Sequence, residues 1–250
     1  MTHILITNDD GFTAPGLLAL RRALDPLGTI TVIAPSRNYS VSGHRKTLHK
    51  PLRLDSATLA DGSPGFVCSG APADCVALAL LGFIKEKVDL VVSGINPHPN
   101  VGQDITYSGT VTCALEAVVN GVPGIAVSLD STNGAIYETA GQVALGVARE
   151  VLAGGAPPGV VLNVNVPAGK LRGVQITRQG QRIYRDQLVE RLDPRGKPYY
   201  WIGGEFPGGV HDDPGTDFWA LANGYVSITP LHLDLTAHAR LEDLRARTWL

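Results

Sequence analysis

The chain has 250 residues, enough to bury a large core, and fits one α/β domain or one domain with a sizeable insertion. Hydrophobic residues make up 44% and charged residues 18%, an ordinary globular mixture, and the net charge of −2 gives no reason to expect a nucleic acid polymer or an anionic membrane as partner. Cys68, Cys75 and Cys113 lie in apolar stretches without a CxxC pair, which argues against a disulfide framework or a thiolate zinc site and predicts buried free thiols in a reducing compartment.

The N-terminus enters a short apolar strand at residues 4–6 with no signal-type segment before it, and no apolar stretch is long enough to span a membrane; a cytoplasmic location is expected. Asn8-Asp9-Asp10-Gly11 ends that strand with turn chemistry. Leu17, Leu20, Leu24 and Leu27 repeat at spacings of 3, 4 and 3, which predicts a helix from Pro15 to just before Gly28. A strand follows at 30–34. A polar loop then runs over 36–50 and carries Arg37, His44, Arg45, Lys46, His49 and Lys50. Further strands are expected at 66–68, 88–92, 124–129 and 160–166, with helices at 72–83, 109–120 and 135–153 and a Gly/Pro/Asn-rich loop at 93–102. Strands apolar on both faces, alternating with helices, predict a mostly parallel sheet covered on both sides, hence an α/β fold. The texture changes after residue 170. Residues 172–220 read as hairpins or an extended excursion, 224–230 as a returning strand that completes a core of about 1–170 and 222–232, and 235–250 as a charged helix; the whole reads as a single domain over 1–250.

In open α/β sheets ligands bind beyond the carboxyl ends of the strands. There stand Asn8, Asp9 and Asp10 after the first strand, Ser36, Arg37, Asn38, Ser40 and Ser42 after the second, and Ser93, Asn96 and Asn100 after the strand at 88–92. These are hard oxygen ligands, suited to Mg²⁺, Mn²⁺ or Ca²⁺ rather than zinc. Adjacent carboxylates repel each other, and a divalent cation removes that cost; Asp-Gly is also ordinary turn chemistry with one carboxylate capping the next helix. Ser108-Gly109-Thr110, at the start of the helix over 109–120, pairs hydroxyls and a glycine with free helix N–H groups, as a phosphate site does, although Ser and Thr are also common caps. His44 is a loop histidine with the chemistry of a proton donor or of a solvated side chain, whereas His3, His211, His232 and His238 show no ligand spacing. Tyr107, Tyr199, Tyr200, Trp201 and Trp219 suit base stacking, subunit contact or plain packing. GxxxxGK[ST], GxGxxG and GxSxG are absent, which argues against a P-loop, a dinucleotide fingerprint and a hydrolase serine.

Taken in order, Ile4-Leu5-Ile6-Thr7-Asn8-Asp9-Asp10-Gly11, Ser42-Gly43-His44, Gly70-Ala71-Pro72-Ala73-Asp74-Cys75-Val76, Val91-Val92-Ser93-Gly94-Ile95-Asn96, Ser108-Gly109-Thr110-Val111, Asn163-Val164-Asn165-Val166-Pro167 and Gly224-Tyr225-Val226-Ser227-Ile228-Thr229-Pro230 resemble the SurE family of survival nucleotidases over nearly the whole chain. The resemblance implies a Rossmann-like three-layer αβα fold with an extended C-terminal hairpin region used in oligomerisation. It implies a phosphatase acting on nucleoside 5′-monophosphates, also on 3′-monophosphates and short polyphosphate, and a homodimer or homotetramer. One divalent ion per subunit, Mg²⁺ or Mn²⁺ with Ca²⁺ as a substitute, is implied on positions matching Asp9, Asp10, Ser40 and Asn96. It further implies phosphate contacts from Ser108, Gly109, Thr110 and Asn96, with Asn8, Asn100 and Asp104 near the substrate. Asp9, Asp10 and His44 are then the catalytic candidates. Where the family usually carries Arg-Gly after Asn96, this chain has Pro97-His98. That removes a cation able to meet phosphate and pushes Asn96 toward an extended backbone.

Overall fold

The computed structural model describes residues 1–130, 136–205 and 207–249. The first part of the chain alternates β1 (His3–Thr7), α1 (Pro15–Leu24), β2 (Thr29–Pro35), β3 (Leu54–Thr58), β4 (Pro64–Cys68), α2 (Pro72–Leu78), β5 (Leu90–Asn96), α3 (Gly109–Val119), β6 (Gly124–Leu129), α4 (Tyr137–Glu150) and β7 (Val160–Val166). Then come β8 (Val174–Ile176), β9 (Arg182–Ile183), β10 (Asp186–Leu192), β11 (Pro198–Gly204), β12 (Gly208–Gly209), α5 (Asp217–Ala222), β13 (Val226–His232) and α6 (Leu241–Arg245). The main sheet runs β3-β4-β2-β1-β5-β6-β7-β13-β8. It is parallel from β4 to β7, with β3 antiparallel to β4 and β13 antiparallel to β7.

Strand periodicity divides the core between two faces. Ile4, Ile6, Leu90, Val92, Ile125 and Val127 meet Leu17, Leu20 and Leu24 of α1 and Ala140, Ala144 and Ala148 of α4. Leu5, Ile33 and Val91, which point the other way, meet Cys75 and Val76 of α2 and Cys113 and Ala117 of α3. The fold is therefore the expected α/β sandwich, with extra strands near its C-terminus. The three cysteines are buried free thiols, as their apolar surroundings predict. Among the described residues, no helix is long and apolar enough to cross a membrane.

Several boundaries differ from the sequence reading. The strand expected over 88–92, with a loop after it, instead spans Leu90–Asn96, because pairing with β6 continues across a bulge between Ser93 and Asn96. Gly94 permits this at φ 137, with the position of a β-carbon only 2.3 Å from the carbonyl oxygen of Val127. The helix expected over 72–83 becomes α2 and a wider turn at Ala79–Phe83, broken where Gly82 takes φ 120. For the helix expected over 135–153, Ala135 lies outside the described residues, and α4 gives way to a wider turn at Val151–Gly155. β3 was not expected at all. The charged helix over 235–250 is reduced to the five residues of α6 after a 3₁₀ turn at His238–Arg240, and neither buries a residue; without an apolar face to pack, so short a helix has nothing to prolong it. The excursion over 172–220 holds the β10–β11 hairpin, but it also returns β8 to the main sheet and forms α5, so the sheet extends beyond the anticipated core.

β1 leads outward to β2 and β4, and the chain then returns to lay β5 on the other side of β1. The strand order reverses between β1 and β5. The crevice outside their carboxyl ends is where a fold of this kind binds ligands.

Candidate functional site

Four residues close the end of β1. Asn8 is buried; its amide nitrogen donates to the carbonyl of Gly11 at 3.0 Å and its amide oxygen accepts from the Gly11 N–H at 3.2 Å. Both ends of the side chain bond to Gly11, so Asn8 shapes the turn. Gly11 takes φ 106 with the backbone of Arg37 beside it. The carbonyl of Asp9 accepts the Tyr39 N–H at 2.8 Å, which ties the loop after β2 to the end of β1.

The Asp9 side chain is buried and accepts the Thr110 hydroxyl at 2.5 Å. Burial pushes its carboxyl up, while the Thr110 hydroxyl and the amides of Thr110 and Gly109 pull it back. Gly109 has no side chain because Asp9 lies against it: a β-carbon there would stand 2.6 Å from the Asp9 Cβ and 2.7 Å from its Oδ2. The start of α3, read from the sequence as a phosphate cradle, is thus partly occupied by the protein's own carboxylate. Ser108 caps α3 by accepting the Val111 N–H at 3.1 Å.

Asp10 is half-buried; burial and the neighbouring Asp9 charge push its carboxyl up to about 6. Asn38 donates to it at 3.3 Å. Asn38 also accepts from the Ser40 hydroxyl and backbone N–H, both at 2.6 Å, so Asp10, Asn38 and Ser40 form a chain. Asn96, at the end of β5, spends its amide nitrogen on the His98 carbonyl at 2.6 Å, which leaves the amide oxygen as its donor atom for a ligand. Pro97 follows that extended residue as the local sterics require. Tyr137, in the first turn of α4, stands near enough for burial and the Asp10 carboxylate to push its phenol up.

Among the described residues, neither Asp9 nor Asp10 forms a salt bridge. Two adjacent carboxylates withdrawn from water without a cation carry a charge that a divalent ion would neutralise. With Ser40 and Asn96 the donor set is all oxygen, and no group of three or more His, Cys, Asp or Glu side chains suited to holding a metal occurs among the described residues. The residues fit a hard divalent ion.

The same carboxylates make the metal-free fold sensitive to pH. Folding raises Asp10 above its ordinary value of 3.8, so the folded state binds more protons than the unfolded chain between that value and about 6. Stability is therefore lost as pH rises through this window. In EDTA, the melting temperature of an Asp10→Asn variant relative to wild type should climb between pH 4 and 6.5; a gap that stays constant with pH would contradict the assignment.

The remaining sequence candidates divide. Asn100 is buried in a network: its N–H meets Asn165 Oδ1 at 2.8 Å, its amide nitrogen meets Ser128 Oγ at 2.8 Å, and its carbonyl accepts from Asn163 and Asn165 at 2.8 and 3.1 Å. Asp104 pairs with Arg182 at 2.7 Å and accepts from the Tyr184 hydroxyl at 2.7 Å. Both fasten loops. His44, read from the sequence as a proton donor or a solvated side chain, is bound through Nε2 to Glu116 at 2.9 Å. Tyr107 is exposed, Tyr199, Tyr200 and Trp201 are exposed on β11, and Trp219 stacks on Tyr225 with ring centroids 6.0 Å apart.

Glu116, Tyr137, Asn163 and Asp217 escaped the sequence reading of the site. Asp217 is buried and accepts the N–H groups of Gly102, Gly180 and Phe218, each at 2.8 Å. The signal for Glu116 and Asn163 is a polar residue inside an otherwise apolar helix or strand.

The chain is similar to known proteins. A family model described as survival protein SurE matches residues 4–186. A curated protein of Chloroflexus aggregans named 5′-nucleotidase SurE is 51% identical over 254 residues, covering 99% of each chain. One of the same name from Herpetosiphon aurantiacus is 50% identical, covering 99% of this chain and 98% of its own. The crystal structure of SurE protein from Aquifex aeolicus matches with a TM-score of 0.83 at 42% identity, covering 97% of this chain and 98% of that one.

Proposed function

The chain belongs to the SurE family, and from that premise we propose that it is a metal-dependent 5′-nucleotidase, releasing inorganic phosphate from nucleoside 5′-monophosphates. The observation that carries the reading is the pair Asp9–Asp10, which forms no salt bridge among the described residues, at the point where the strand order reverses and beside the start of α3. The substrate class follows the relatives' name, 5′-nucleotidase.

Asp9, Asp10, Ser40 and Asn96 would hold one Mg²⁺ or Mn²⁺. Such an ion, when bound, supplies Lewis acidity toward a phosphoryl oxygen and acidifies water. The protein's own contribution is placement. Thr110 and the first amides of α3 fix Asp9, and Asn38 links Asp10 to Ser40. The Ser108 hydroxyl, which accepts from Val111, keeps its proton for a phosphoryl oxygen. Arg37, stacked over Tyr39 at 5.0 Å, supplies a cation on the loop after β2; it offers charge that Pro97 does not.

A homodimer or homotetramer is part of the same proposal. The β10–β11 hairpin exposes Leu188, Leu192, Tyr199, Tyr200, Trp201 and Ile202. A two-stranded hairpin with so much apolar surface is marginal in water and gains from a partner surface.

Phosphate release from a panel of 5′- and 3′-nucleoside monophosphates and short polyphosphate tests the reading. Release is expected to stop in EDTA and return with Mg²⁺ or Mn²⁺, fastest on a 5′-monophosphate. Turnover indifferent to EDTA would remove the metal from the proposal, and no turnover with any of these ions would remove the activity.

A further inference from the structure

α3 carries two anchors on one rigid rod. Thr110 holds Asp9, and six residues on, about 9 Å along the axis, Glu116 holds the loop that bears Ser40. The Glu116 side chain is only 2% exposed, yet it is a carboxylate in a helix packed into the core. It receives His44 Nε2 at 2.9 Å on Oε2, and Lys46 Nζ at 2.8 Å and Asn120 Nδ2 at 3.1 Å on Oε1. Burial works against its charge; the hydrogen bonds of His44 and Lys46 overcome that and hold its carboxyl below the usual range.

The segment so held is otherwise ill-disposed to order. It is polar and lies between β2 and β3 without a strand or helix of its own. Val41, next to Ser40, takes φ 59, a strained conformation for a β-branched residue, which persists only where neighbours enforce it. The enforcing contacts are the Gly43 N–H on the Tyr107 carbonyl at 3.0 Å, the Thr112 hydroxyl on the Gly43 carbonyl at 3.2 Å, the Thr47 N–H on Asp74 at 3.0 Å, and the His44 and Lys46 side chains on Glu116. Among the described residues, Ser40 bonds to Asn38, and the Tyr39 N–H beside it bonds to the Asp9 carbonyl at 2.8 Å.

We propose that Glu116 is a positioning residue that clamps His44 and Lys46 and thereby holds Ser40 in register with Asp9, so that the oxygen site for a divalent ion is assembled before the ion arrives. This rests on the metal reading given above. It reassigns His44 from proton donor to strut, and it makes α3 the common ruler for two of the four donors.

The test uses the full chain stripped of metal. Mn²⁺ binding is followed by the loss of the free-ion paramagnetic resonance signal, and amide hydrogen exchange is followed over residues 39–47. Glu116→Gln is expected to weaken Mn²⁺ binding about 10–100-fold, the scale seen when a group that orients a metal ligand is lost. It is also expected to unprotect the 41–47 amides without metal while β1, β5 and β6 stay protected. If that variant fails to fold, Lys46→Met combined with His44→Ala, which empties the clamp from the loop side, is expected to behave the same way. Wild-type protein that binds no Mn²⁺ overturns the metal reading and this proposal together. Wild-type binding with a variant that stays within about twofold of it overturns this proposal alone.

Discussion

Asp10→Asn is expected to lower phosphate release from a nucleoside 5′-monophosphate by at least about 10²–10³-fold, the scale on which removing one preorganised charge-stabilising group acts. The substitution is close to isosteric, and the new amide oxygen still accepts from Asn38, so the chain Asp10–Asn38–Ser40 keeps its geometry. What disappears is one of two neighbouring charges that have no salt-bridge partner among the described residues. Stability moves the opposite way. Because burial and Asp9 push the Asp10 carboxyl up to about 6, the metal-free fold at neutral pH carries a cost of burying that charge beside Asp9 that the amide removes. A variant that melts higher than wild type in EDTA, gains less from added Mn²⁺ and turns over at background rate is the full expected signature. Steady-state kinetics within about tenfold of wild type would contradict the role given to this residue.

Gly109→Ala is expected to cost about 10²-fold in turnover, as misplacement of a reacting group by about 1 Å does. At an exposed helix position the same change stabilises by up to about 1 kcal/mol, because alanine has the better propensity. Here the new methyl would lie 2.6 Å from the Asp9 Cβ, 2.7 Å from its Oδ2 and 3.0 Å from its Cγ, closer than carbon atoms approach. Asp9 is buried and held by Thr110, so it must tilt away from the first turn of α3 or α3 must slide. Either motion separates Asp9 from Asp10, Ser40 and Asn96. Circular dichroism should show the fold retained while Mn²⁺ affinity falls. Wild-type affinity and turnover in the variant would mean that Asp9 has no fixed position to lose.

Local chemistry made the first of these positions legible. Asn8-Asp9-Asp10-Gly11 announces a turn after an apolar strand, and Ser108-Gly109-Thr110 announces a helix start, because each depends on residues within a few positions of itself. The purpose of Gly109 was not legible, since the atoms it makes way for belong to Asp9, 100 positions earlier. The same distance hid Asp217, which reads as an ordinary first-turn acid behind the Thr216 cap but holds the N–H of Gly102. Ser93, Gly94 and Asn96 carry turn-type composition, and pairing with β6 overrides it. β3 passed unnoticed because most of its residues face solvent, so no apolar alternation marks it. In the closing segment the error ran the other way: helical composition at 235–250 promised a helix that no packing sustains.

The placement of β13 bears on how the chain is made. Val226–His232 slots between β7 and β8, antiparallel to the one and parallel to the other, although β7 ends sixty residues earlier in the sequence. During synthesis β7 emerges with one side unpaired, and it stays so until the hairpin, α5 and β13 have all left the ribosome. An open, largely apolar edge, Val160–Val166, invites pairing with another nascent chain. Translation that stalls after the hairpin thus leaves Asp9 and Asp10 in place on a sheet with an open edge, and the last strand is the one that closes it.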